Sequence, residues 1–176
     1  MITARPEDMS RLNGQERQRL GRALADLTDR KLVLETYAIT ASRTWFDWRT
    51  MWSALSLIPG NAVMFNGMAN GGDCLARSFW LTQGRSVRPF RPPWSQGKHA
   101  GLIRNTIMME HMPQLVVGFI ADDGPSNGTR DALHKAQERG IPTFVFWQHI
   151  PPEQRLSDSN PTPTGRIAPA VRGMIS

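Results

Sequence analysis

The sequence predicts an α/β domain of the Rossmann-like kind, an open and mostly parallel five-stranded sheet with helices on both faces. Three observations carry this. From residue 32 onward, short apolar runs alternate with amphipathic stretches; each apolar run leads into a polar or glycine-bearing loop; and the amphipathic stretches stop at glycine or proline. That alternation is the pattern of successive βαβ units. With 176 residues, 40% of them hydrophobic, the chain can bury the core of one such domain with short extensions. Two full domains would be a squeeze.

Taken in order, residues 1–31 form an N-terminal helical extension. Asn13 and Glu16 stand three apart as a capping pair, and Leu20, Ala23, Leu24 and Leu27 follow at helical spacing. One short amphipathic helix is marginal alone, so this stripe is expected to pack on the domain or on a partner. The domain itself spans 32–148, with strands expected at 33–40, 62–66, 86–90, 115–120 and 141–147. After the first strand, Trp45, Trp48, Trp52 and Leu55 recur at spacings of three and four, a helical core stripe that Pro59-Gly60 ends. Further helices are expected at 73–83, before Gly84; at 101–111, before Pro113; and at 129–139, closed by Gly140. Residues 149–176 are rich in proline, serine and small residues without periodicity, and read as a mobile tail.

Composition narrows the functional classes. There is no apolar run of about eighteen residues and no apolar N-terminal stretch with a small-residue cleavage site, so a cytoplasmic protein with no membrane partner is expected. The lone Cys74 excludes an internal disulfide framework and a cysteine-cluster zinc site; its plain reading is a buried thiol. His99, His111, His134 and His149 show no spacing that puts two ligands on one helical turn, and no metal or cofactor is expected. A net charge of +6 favours anionic partners, but the arginines are scattered, and a solvated basic surface accounts for them as well as a nucleic-acid site does.

In a parallel sheet the loops leaving the strands' carboxyl ends converge on one edge, where ligands bind. Four unusual loops fall there. The first is Thr40-Ala41-Ser42-Arg43, and the second Asn66-Gly67-Met68-Ala69-Asn70-Gly71-Gly72-Asp73. The third is Gly97-Lys98-His99-Ala100-Gly101 with Arg104-Asn105 in the helix that follows, and the fourth runs from Asp122-Asp123 to Gly128-Thr129 at a helix start. Glycines admit positive φ and close backbone approach, and helix N-termini favour anions. One such loop is often only a tight connection; four on one edge predict a phosphate-binding cleft. Neither G-x-G-x-x-G after the first strand nor G-x-x-x-x-G-K-[ST] occurs. Asp73 is expected to cap its helix and fix its loop, and Asp47 and Asp131 to be ordinary caps or helix-dipole partners.

Together these loops resemble the YspA-type branch of the SLOG superfamily, Rossmann-like domains related to the DprA and Lonely-guy proteins. Residues 40–43 resemble that branch's T-G-S-R, residues 66–73 its H-G-G-A-x-G-A-D, residues 97–105 its G-K-x-A-G-x-x-R-N, and Gly128-Thr129 the end of its last glycine-rich turn. The resemblance covers residues 33–147 in the family's order. Ala41, Asn66 and Met68 depart from it, as does the run 122–127 where P-G-G is usual. The resemblance implies binding of a nucleotide or nucleotide-derived molecule, as a binder or sensor, by Thr40, Ser42, Arg43, Asn66, Gly67, Gly71, Gly72, Asp73, Lys98, Arg104, Asn105, Gly128 and Thr129. Two alternatives accompany it. One is an N-glycosidic hydrolase of nucleoside monophosphates, in which Asp131 occupies the position of the Lonely-guy glutamate and Arg104 assists. The other is a DprA-like DNA-binding module, supported only by basic charge. The oligomeric state, a homo-oligomer included, is left open.

Overall fold

The computed structural model describes residues 13–29, 36–122 and 126–149. The expected tail beyond His149, the start of the first expected strand and residues 123–125 lie outside the described residues. The first helix, α1 (Gly14–Asp29), has the reciprocal cap its sequence predicts: the Glu16 N–H donates to Asn13 Oδ1 at 2.9 Å and the Asn13 N–H to Glu16 Oε2 at 3.2 Å. Leu20 and Leu24 are buried in the same cluster as Tyr37 and Trp80, so this helix packs on the domain. The Leu27 side chain lies outside the described residues.

Five strands form one all-parallel sheet in the order β3-β2-β1-β4-β5. These are β1 (Thr36–Ala41), β2 (Val63–Asn66), β3 (Val87–Pro89), β4 (Leu115–Ala121) and β5 (Thr143–Gln148). All seven residues of β4 are buried, as a strand covered on both faces requires. Helices α2 (Trp48–Leu55) and α3 (Gly72–Thr82) join α1 on the face that receives Tyr37, Ile39 and Ala41. Helices α4 (Ala100–Glu110) and α5 (Asn127–Glu138) cover the opposite face, where Met108, Met109, Ala132 and Leu133 meet Ala38 and Val116. The alternation of β1 residues between the two clusters is the period of two of a strand.

The chain winds outward from β1 to β3 and then returns to place β4 on the other side of β1. The topological switch point therefore lies between the carboxyl ends of β1 and β4, where open parallel sheets bind ligands. Three local features differ from the sequence expectation. Helix α2 starts at Trp48 and not at Trp45, because Asp47 is its N-cap and accepts from the Thr50 N–H at 3.1 Å and the Thr50 hydroxyl at 2.7 Å. The connection after β3 contains a 3-10 segment, Trp94–His99, broken at Gly97 with φ of +73°. Cys74 is half-buried instead of fully interior. Among the described residues, no helix is long and apolar enough to cross a membrane.

Candidate functional site

The carboxyl edge is organised by three hydrogen-bonded groups. At the switch point, Ser42 leaves β1 with its side chain buried; its hydroxyl accepts from the Ala121 N–H at 3.0 Å and lies 2.7 Å from the Ser126 hydroxyl. Ser126 in turn donates to the Ala121 carbonyl at 3.0 Å. The two serines thus tie the loop after β1 to the loop after β4. They satisfy backbone groups that the end of the sheet leaves unpaired.

The second group lies over β1 and β2. Asp73, 3% exposed, is not the cap of α3; that position is Gly71, and no side chain caps the helix. Its carboxylate instead reaches back over the sheet, accepting from the Ala41 N–H at 2.8 Å and the Ala69 N–H at 3.3 Å. The loop-fixing half of its expected role holds. Asn66 works in the same loop, accepting from the Met68 N–H at 2.9 Å and donating to the Asp73 carbonyl at 3.0 Å. Gly71 has φ of +77°, and a Cβ there would lie 1.9 Å from the Arg43 carbonyl oxygen, so the turn requires glycine on both counts.

Arg104 enters this group from α4. Its side chain is 9% exposed, its Nη1 lies 4.0 Å from Asp73 Oδ2, and its Nε makes a long contact of 3.4 Å with the Gly101 carbonyl. The guanidinium lies against the backbone of Gly67: a Cβ on that glycine would fall 1.7 Å from Nη1. Nη1 is buried and has no hydrogen-bond partner among the described residues. Burial pushes the Asp73 carboxyl up to about 6 and lowers the proton affinity of Arg104; the attraction between the two opposes both shifts, while the nearby Arg43 adds repulsion to Arg104. Arg43 itself is exposed. Arg43, Arg77 and Arg104 therefore surround Asp73, with Asp131 the second carboxylate that acts on Arg104, so cations outnumber carboxylates here. That imbalance favours an anion.

The third group joins α4 to α5. The Asn105 Nδ2 donates to the Gly128 carbonyl at 2.9 Å and to Asp131 Oδ2 at 2.8 Å, and Lys135 Nζ donates to the same oxygen at 2.8 Å. Thr129 is buried beside them, and Gly128 is exposed at the helix start. Thr40 is buried at the end of β1, and Gly72 is packed under Ala41 and Ser42. Lys98 and His99 stand exposed on the 3-10 segment. Adjacent positions of α4, Arg104 and Asn105, thus connect the second group to the third.

An aromatic cleft over the end of β5, bordered by Phe46, Trp48 and Trp147, is not among the sequence expectations. Its signal lies in the β5 run Phe144-Val145-Phe146-Trp147: alternation places Phe146 in the core and leaves Trp147 outside it.

No protein-family model matches the chain. Over 118 residues it is 36% identical to the Gene 61 protein of Mycobacterium phage D29, an alignment taking in 61% of this chain and 93% of that protein. The chain belongs to the family of that phage protein. The family is thereby fixed at the level of sequence, and the five-stranded parallel sheet describes its Rossmann-like fold in this member.

Proposed function

We propose that the chain binds a nucleotide or nucleotide-derived phosphate ligand at the carboxyl edge of its sheet, as a binder or sensor of the SLOG kind. The observation that carries this reading is Arg104, a guanidinium buried against Gly67 with one nitrogen unpartnered and a second arginine nearby. A buried donor left unmade costs about 1–3 kcal/mol, more when charged, and a phosphate oxygen would supply the missing partner. The N-terminus of α5 at Gly128-Thr129 offers a second anion contact on the same edge.

The arrangement supports binding over hydrolysis. Asp131, the carboxylate that a Lonely-guy-like reaction would need, has its Oδ2 engaged by Asn105 and Lys135. A carboxylate so paired is a poor general base, and it is one methylene shorter than the glutamate it would replace.

The test is a thermal-shift panel of nucleoside monophosphates, ADP-ribose and pyrophosphate with wild type, Arg43→Ala and Thr129→Val. At 100-fold excess over the dissociation constant, binding stabilises by about 2.7 kcal/mol, a readily measured rise. Both variants are expected to weaken the rise. A panel that shifts nothing in wild type sinks the proposal.

A further inference from the structure

The cleft over β5 has a volume of about 450 Å³ and is lined by Phe46, Asp47, Trp48, Arg49, Trp147, Gln148 and His149. Phe46 and Trp147 are 55% and 59% exposed, although each carries a ring that water solvates poorly. The cleft is a built feature. Gln148 Oε1 accepts from the Phe46 and Asp47 N–H groups at 3.1 and 3.3 Å, pinning the loop that carries Phe46 to the end of β5.

Charge selects the guest. Aromatic rings around a cleft can cage a cation, but here arginines already lie on the rings: Arg130 sits 5.2 Å from the Trp147 centroid and Arg49 5.1 Å from that of Trp48. The lining carboxylate, Asp47, is engaged by the Thr50 N–H and hydroxyl, so the two guanidinium groups disfavour a cationic guest. A planar heteroaromatic ring carrying an anionic group would stack on the indole and face the guanidinium groups. Two polar atoms of the lining are already engaged, Gln148 Oε1 by two backbone amides and His149 Nδ1 by Asp122, so the rings dominate what the cleft offers a flat guest. Stacking itself tolerates any base, because every base has a π-face.

We propose that this cleft is a stacking subsite for a nucleobase, held against Trp147 and Phe46 with its phosphate toward Arg49 and Arg130. The base can belong to a free nucleotide or to single-stranded nucleic acid, and the two sources share this chemistry. The inference extends the phosphate-ligand reading to the base yet stands without it, because its residues differ from those around Arg104.

The test uses the full chain, with Trp147→Ala and Phe46→Ala, both at exposed positions and both checked for an unchanged circular dichroism spectrum. Three probes are titrated: adenosine monophosphate, a thymidine oligomer of about twelve nucleotides, and inorganic pyrophosphate, which has no ring. Loss of one stacked base is expected to weaken a ring-bearing probe by about 5- to 150-fold in each variant and to leave pyrophosphate unchanged. Weakening of the monophosphate assigns a free nucleotide as the source; weakening of the oligomer alone assigns a single strand. The proposal is overturned if neither ring-bearing probe binds wild type at millimolar concentration, or if both variants bind them as wild type does. Failure of pyrophosphate to bind, with the ring-bearing probes still sensitive to Trp147, would count against the Arg104 site and leave the cleft standing.

Discussion

Replacing Gly67 by alanine probes the Arg104 site at the point where backbone and guanidinium meet. The new Cβ would lie 1.7 Å from Arg104 Nη1 and 2.4 Å from its Cζ, while Asp73 Oδ2 stands 3.0 Å away. The clashing atoms are the end of a flexible side chain, so the guanidinium is expected to swing out and the loop to keep its course. Breaking a buried ion pair by removing one partner costs about 3–5 kcal/mol when the other charge must stay. Here it need not stay: the Asp73 carboxyl titrates at about 6, so taking up a proton at pH 7 costs only about 1.4 kcal/mol. The guanidinium regains water, and alanine restricts the unfolded chain by a further fraction of a kcal/mol. A net loss of about 1 kcal/mol is expected, a fall in Tm of about 2–4 °C, together with loss of the ligand-induced rise. Urea unfolding of wild type, Gly67→Ala, Arg104→Met and the double variant checks this. If the clash is with Arg104, Gly67→Ala costs much less in the Arg104→Met background. Equal costs in both backgrounds would mean that the new methyl group does not meet Arg104.

The Asp73 carboxyl titrates higher in the folded chain than its ordinary 3.8, so the native state holds that proton more tightly. Its contribution is therefore fully present below about pH 4 and is lost as pH rises to about 6, a decline of about 3 kcal/mol measured by denaturant unfolding across that window; Asp73→Asn should flatten it. Ser42→Ala strands the Ala121 N–H and removes a partner of Ser126, and should cost about 1–3 kcal/mol in urea unfolding. With nucleoside monophosphates, free base followed by chromatography should show at most slow release, equal in wild type and Asp131→Asn; multiple turnovers lost only in the variant would make Asp131 catalytic.

The order and type of the elements were legible because each apolar run is short, glycine-punctuated and followed by a helical stripe, which leaves few alternatives. The cap of α1 was readable from Asn13 and Glu16 alone, since both hydrogen bonds are local. The site was legible as a set of loops at one edge and not as a set of contacts. Asp73 shows why: its position after two glycines reads as a helix cap, but its acceptors serve Ala41, thirty-two residues back, and that partnership depends on the sheet. Arg104 against Gly67 is likewise a pairing across two connections. The tryptophan stripe was read as core, and Trp45 is 3% exposed, yet Trp48 borders the aromatic cleft. The helix starts three residues later than spacing alone implies, because Asp47 caps it, and Trp48 falls in its first turn.

Crystals grown with adenosine monophosphate or ADP-ribose would show directly whether Arg104 holds an anionic ligand. The account predicts a phosphate oxygen within hydrogen-bond distance of Arg104 Nη1, about 2.7–2.9 Å, with Arg43 turned toward the same group. An ordered ligand elsewhere on the chain, with Nη1 still facing only Asp73 and Gly67, would contradict it.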